Sequence, residues 1–268
     1  MTKIPFSKLH GAENDFLLTW ADDAPPQADF PEIARKICAR MTGIGADGWM
    51  LVSQEGDQLR TRLFNSDGSE PEISGNGTRC AAAFGLWTGA LRGEVVFIST
   101  AAGLKTLKVL AWANTCFRFE MDMGEPQYSR EEIRTNLVLG PNTFDATILN
   151  VGNPQCAIFV ESMPQNWRSL GALAEIDSRF PGRTNVSFVR VLDRHNIETV
   201  FFERGAGETR SSGTGSTGAA VAAILRGEVE SPVIVHTPAG ELTLRWDESV
   251  FLTGPAEFIG EGVFFLGD

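Results

Sequence analysis

Residues 65–83, NSDGSEPEISGNGTRCAAA, align with residues 203–221, ERGAGETRSSGTGSTGAAV, at an offset of 138. Glu70 then falls on Glu208, Ser74 on Ser212, Gly75 on Gly213 and Gly77 on Gly215, and alanines follow in both. A second stretch agrees at an offset of 137: Thr100, Ala102 and Gly103 of STAAG match Thr237, Ala239 and Gly240 of HTPAG. Near the front of each half, Gly11–Asn14 (GAEN) mirrors Gly152–Pro154 (GNP). Two copies of one unit of about 130 residues account for these matches. No period of roughly 20–50 residues is present, which sets a solenoid aside.

Each copy has a legible local structure. RLFNSD and TVFFER are short runs rich in Phe and Val that read as strands. A Gly/Ser/Asn loop follows, then an alanine-rich run, RCAAAFGLW or GAAVAAIL, of high helical propensity without proline. Each SGxG therefore sits where a strand-derived loop turns into a buried helix. GLKTLKVLAW, CFRFEMDM, CAIFVESM, TNVSFVRVL and ELTLRW alternate as strands do. Residues 31–41, PEIARKICARM, predict an amphipathic helix that starts with proline. The expectation is a mixed α/β (α+β) chain with many strands around two central helices.

Composition narrows the function. The chain has 268 residues, 43% hydrophobic and 21% charged, within the ordinary globular range. A formal net charge of −11 opposes binding to nucleic acid or an anionic membrane. Cys38, Cys80, Cys116 and Cys156 lie too far apart for a zinc knuckle or a redox pair, and His10, His195 and His236 show no metal-ligand spacing, so no metal is expected. The start, MTKIPFSKLHG, lacks the apolar region of a signal peptide, and no apolar run reaches a membrane span. The expectation is a soluble, reduced, cytoplasmic protein.

The first N–H groups of a helix have no intrahelical partner, and the macrodipole adds partial positive charge there. Glycine allows close approach, so SGNG and SGTG each suit a carboxylate or phosphate. Either loop alone reads equally as a helix cap with Ser74 or Ser212 as the capping residue. Recurrence in matched context favours the anion site. GTGSTG at 213–218 also fits the dinucleotide fingerprint, but only 50 residues follow Gly218, too few for repeated βαβ units, and its twin GNGTRC breaks the pattern.

At these residues the sequence resembles diaminopimelate epimerase and its pyridoxal-independent relatives. The resemblance rests on KLHGAENDF, GIGADG at 43–48, FNSDGSE followed by GNG, then GNP, RTNVSF, FERGAGET, SGTG and a closing GPAE. It implies two pseudo-symmetric lobes, each a mostly antiparallel sheet wrapped around a central helix, with the substrate in the cleft between. The lobes would be residues 1–117 and 118–255, with residues of about 256–268 returning to the first. It implies an isomerase of the lysine and peptidoglycan precursor pathway that inverts the α-carbon of LL-2,6-diaminopimelate or a similar amino acid without a cofactor. The implied partner is that small amino acid; a homodimer is left open. Asn14, Asn65, Asn153, Asn185, Glu203 and Arg204 would bind the diamino-dicarboxylate, and Gly75–Asn76 and Gly213–Thr214 would hold the carboxylate beside the reacting carbon. Asparagine offers paired donors and acceptors, and arginine grips a carboxylate in bidentate fashion.

The departure falls on the chemistry. Stereoinversion by proton transfer needs a base on one face of the carbon and an acid on the other. Where the resemblance expects cysteine, this chain has Ser74 and Ser212, and where it expects histidine after GNP it has Gln155. A serine hydroxyl is a far weaker acid than a thiol, and no histidine lies in the matched motifs to activate it. Cys80 sits six residues into the helix and Cys156 is a strand neighbour of Gln155 facing away, so both read as core thiols. Three readings stay open: an epimerase using Ser74 and Ser212 with water or Glu203 assisting, an elimination or double-bond shift on the same frame, and a catalytically silent amino-acid-binding protein.

Overall fold

The computed structural model describes residues 2–26 and 28–267. Tertiary contacts divide the chain into two units, Met1–Met121 with Gly254–Asp268, and Asp122–Thr253. In the first, β1 (Thr2–Gly11) and β2 (Asn14–Trp20) precede α1 (Phe30–Ile37), and β3 (Gly48–Glu55) and β4 (Gln58–Asn65) precede α2 (Gly75–Thr88). Then come β5 (Val95–Thr100), β6 (Gly103–Ala113) and β7 (Cys116–Gly124). The second begins with β8 (Thr135–Leu139), β9 (Asn142–Asn150) and β10 (Pro154–Phe159), followed by α3 (Trp167–Glu175). Next are β11 (Asn185–Asp193), β12 (Asn196–Glu203), the short β13 (Gly207–Thr209) and α4 (Gly213–Leu225). β14 (Val233–Thr237), β15 (Gly240–Trp246) and β16 (Val250–Leu266) complete the chain.

The two units share one wiring. β2 pairs parallel with β3 and β4 parallel with β5, with α1 and α2 as the respective connections. Likewise β10 pairs parallel with β11 and β12 with β14, across α3 and α4. The hairpins β3–β4, β5–β6, β11–β12 and β14–β15 are antiparallel. Antiparallel pairing thus dominates each sheet. In the first unit the order β1-β2-β3-β4-β5-β6-β7-β16 closes on itself, because β1 also pairs with β16, Thr2 facing Leu266 and His10 facing Glu257.

Each sheet wraps a helix that is buried all round. Residues Gly75 to Leu86 of α2 and Gly213 to Ala223 of α4 are buried on every side, the polar Asn76, Arg79 and Thr217 included. A helix with no solvent-facing side belongs at a core's centre, and small side chains let strands approach it closely. α2 is packed by β1, β2, β4, β5 and β6; α4 by β9, β10, β11, β12, β14 and β15. The amphipathic helices lie elsewhere: α1 seals a cluster with Ile4, Leu17, Trp49 and Phe64, and α3 one with Leu137, Ile158 and Phe188. No helix among the described residues is long and apolar enough to cross a membrane.

The helix predicted over 31–41 begins one residue earlier and stops at Ile37. Asp29 caps it, accepting from the Glu32 N–H at 3.0 Å. It ends because the chain folds back: the N–H groups of Ile44 and Gly45 both donate to the Ile37 carbonyl, at 2.8 and 3.1 Å. The matched turns STAAG and HTPAG share their bonds. Thr100 Oγ1 donates to Gly103 O at 2.9 Å and Thr237 Oγ1 to Gly240 O at 2.8 Å, while Ala102 N and Ala239 N each donate to the threonine oxygen at 3.2 Å.

Candidate active site

Ser74 and Ser212 cap α2 and α4 in the same way. Each has extended backbone, and each Oγ accepts the N–H of the residue three along, Gly77 at 3.1 Å and Gly215 at 2.9 Å. A hydroxyl that accepts in this way keeps its own proton as a donor. Ser212 is buried and Ser74 half-buried. Ser74 also lines a cavity of about 230 Å³ within the first unit, together with Met50, Thr61, Leu63, Thr78 and Ser99.

In the first unit a side-chain hydrogen bond links two of the predicted residues. Asn76 Nδ2 donates to Asn14 Oδ1 at 3.2 Å, and Asn14 Nδ2 donates to Asp47 Oδ2 at 2.6 Å. Asn14 and Asn76 are both buried. Asn65 ends β4, where its Nδ2 donates to Ser69 Oγ at 3.0 Å; its neighbour Ser66 donates its N–H to Asp47 O at 3.0 Å. Arg40 reaches both Asp15, at 2.8 Å, and Asp47, at 2.7 Å, and Lys8 Nζ lies 3.0 Å from Asp15. Burial opposes the charge on Asp15, but hydrogen bonds from Arg40 and Lys8 outweigh it and hold its pKa below the usual carboxylate range. Burial pushes the Asp47 carboxyl up, against the hydrogen bond from Asn14.

The second unit has a parallel chain of contacts. Asn153 Nδ2 donates to Thr214 Oγ1 at 3.3 Å, and Gln155 Nε2 donates to Asn153 Oδ1 at 2.6 Å. Asn185 Nδ2 donates to Pro154 O at 2.9 Å, and the Arg204 N–H donates to Asn185 Oδ1 at 3.0 Å. Glu203 is the last residue of β12, directly before Arg204, whose Nη1 donates to Gly182 O at 3.3 Å. Glu175 fixes the following turn, accepting from Gly205 N at 3.0 Å and Arg183 Nη1 at 3.2 Å. Asn153, Asn185, Ser212, Gly213 and Thr214 are buried, while Glu203 and Arg204 are half-buried.

Cys80 and Cys156 are buried, and desolvation pushes both thiols up to about 12. Neither can supply a thiolate near neutral pH. Sequence reasoning missed Asp47, which holds Asn14, and Asp15 and Arg40, which bond to Asp47. Asp15 and Asp47 lie inside the motifs KLHGAENDF and GIGADG, so the signal was present. Taken by itself, each helix start can hold an anionic group on its free N–H groups and presents a serine hydroxyl beside it.

A family model described as diaminopimelate epimerase matches residues 6–129 and 147–259. A diaminopimelate epimerase of Moorella thermoacetica is 40% identical over 276 residues, covering 97% of this chain and 99% of its own length. One of Desulfitobacterium hafniense is 37% identical over 273 residues, covering 96% of each. A hydroxyproline epimerase from Agrobacterium vitis, solved with trans-4-hydroxy-L-proline, matches with a TM-score of 0.74 at 14% identity, over 98% of this chain and 92% of that one. That last likeness is one of fold.

Proposed function

Because the chain belongs to the diaminopimelate epimerase family, and with it to the isomerases, we propose that it inverts the α-carbon of LL-2,6-diaminopimelate or a similar amino acid by proton transfer, without a cofactor. The observation that carries the reading is the pair of matched helix starts. Each unit brings a serine, Ser74 or Ser212, to the positive end of a central helix through the same cap bond. One serine takes the α-proton from one face and the other returns a proton to the opposite face, with the pair of electrons held meanwhile by the α-carboxylate as an enolate. Gly75–Asn76 and Gly213–Thr214 stabilise that carboxylate through backbone N–H groups. Arg204 takes the distal carboxylate, and Asn14, Asn65, Asn153 and Asn185 accept from the ammonium groups and donate to the carboxylate oxygens. Glu203 assists by taking the hydroxyl proton of the serine that acts as base, since an alkoxide is far less accessible than a thiolate.

Gln155 favours a second reading. It occupies the place where the resemblance expects histidine and carries no titratable group, so a one-faced reaction such as a double-bond shift would need nothing from it. Incubation with single-enantiomer diaminopimelate in deuterium oxide separates the two. Deuterium entering the α-carbon with loss of optical purity supports epimerisation. Entry with retained configuration, or formation of an unsaturated product, favours the second reading. The double change Ser74→Cys with Ser212→Cys should raise the exchange rate, since thiols of about pKa 8.5 are accessible near neutral pH. Exchange as fast in the wild-type chain would make Glu203 the base, and Glu203→Gln would then abolish it.

A further inference from the structure

Arg79 is fully buried, at 0% exposure, in the second turn of α2. Its side chain turns back toward the helix start, where Nη1 donates to Gly75 O at 3.3 Å and Nη2 to Asn76 Oδ1, while Nε donates to Pro255 O at 3.0 Å. All three acceptors are neutral. No carboxylate pairs with Arg79 among the described residues, and Asp15 and Asp47, further along the same network, are taken by Arg40 and Lys8. Burial lowers the guanidinium pKa to about 10, so it stays charged near neutral pH.

Such a placement breaks two local rules at once. A buried charge without a counter-ion is costly. A cation is disfavoured at the positive end of a helix. A neutral solution to the same problem exists in this chain: the position matched at offset 138 is Thr217, whose Oγ1 bonds Gly213 O at 2.8 Å beneath an identical serine cap. Capping and packing therefore do not require a cation, and violations of this kind concentrate at functional sites.

We propose that Arg79 is a positioning residue that gives the start of α2 a positive field the start of α4 lacks, and so holds a carboxylate at Gly75–Asn76. The inference rests on the amino-acid reading above and deepens it. The missing counter-ion is the ligand: the substrate carboxylate and the enolate charge formed when the α-proton leaves. Arg79 also fixes the Asn76 amide, with Oδ1 toward itself and Nδ2 toward Asn14.

The test compares wild type with Arg79→Met, Arg79→Lys and Thr217→Val. Calorimetric Kd values are taken for LL-diaminopimelate, meso-diaminopimelate, glutamate and proline, and the ligand-free Tm is recorded for each variant. Arg79→Met should keep or raise Tm, because a desolvated charge is removed, and should weaken carboxylate binding roughly tenfold or more. Thr217→Val should change Kd by less than about threefold. Arg79→Lys should recover part of the affinity at pH 7 and lose it by pH 9 as the buried amine deprotonates. Cys80, at about 12, does not titrate in that range. If Arg79→Met does not fold, that pH profile carries the test alone. Lower Tm with unchanged Kd, a flat Arg79→Lys profile, or no probe held more tightly by wild type would overturn the inference. Arg79-dependent binding of another amino acid but not diaminopimelate would retire only the substrate assignment. Equal diaminopimelate binding by wild type and Arg79→Met would retire only the inference.

Discussion

At the residue scale, the balance between burial and the hydrogen bonds that oppose it decides how a carboxylate titrates. Asp15 receives Arg40 and Lys8 and ionises more readily than a free aspartate, while burial leaves Asp47 harder to ionise. A carboxylate with a depressed folded pKa adds stability above its unfolded pKa and loses it as pH falls through the folded one. Asp15→Asn should therefore lower the urea midpoint at pH 7, and the gap to wild type should shrink as pH falls below about 4. Asp47→Asn should cost less at pH 7, since ionised Asp47 is already disfavoured. Equal losses at pH 7, or a gap that widens in acid, would refute the assignment. The sequence made Asn14 and Asn76 legible as polar residues in ordered motifs. It did not reveal Arg79, because an arginine beside an alanine run reads as a solvent-facing side chain until the sheet is seen to surround the helix.

At the element scale, α4 is set by how closely its glycines allow the surrounding strands to approach. A Cβ on Gly218 would lie 2.9 Å from Gln155 Cγ and 3.0 Å from its Cβ, so this helix turn is where β10 touches the core. We predict that Gly218→Ala destabilises by about 1–3 kcal/mol through overpacking. It should also disturb Asn153 and Thr214 through the Gln155 bond, visible as changed side-chain amide shifts. Gly182→Ala, where a Cβ meets nothing within 4 Å, is the control and should stay within about 0.5 kcal/mol. Ser212→Ala should cost about 1 kcal/mol from the lost cap alone. Helix starts such as these were legible because a cap and two glycines are local signals. The end of α1 was not, because the turn that stops it depends on Ile44 and Gly45 folding back, and PEIARKICARM keeps its amphipathic period past that point.

At the scale of the whole molecule, the repeat carried the shared wiring of the two units into view, since the matched stretches bracket the two crossovers that hold α2 and α4. The closure of the first sheet was out of reach: β1 and β16 join residues from opposite ends of the chain, and alternation in a strand says which face is buried but never which strand is its partner. That closure has a consequence for stability. Thr2 to His10 run beside Leu266 to Glu257, with a register shift between Lys8 and Leu9, so removal of the last residues opens the sheet and exposes two edges. The second unit's pairing with β16 ends at Thr253, opposite Thr243. We predict that a chain ending at Ala256, which retains the Pro255 carbonyl bound by Arg79, loses hydrogen-exchange protection across β1, β2 and α2. Protection in β9–β12 and α4 should be kept. Uniform loss in both units would mean that they unfold as one, and full retention in β1 would mean that β2 alone holds it in place.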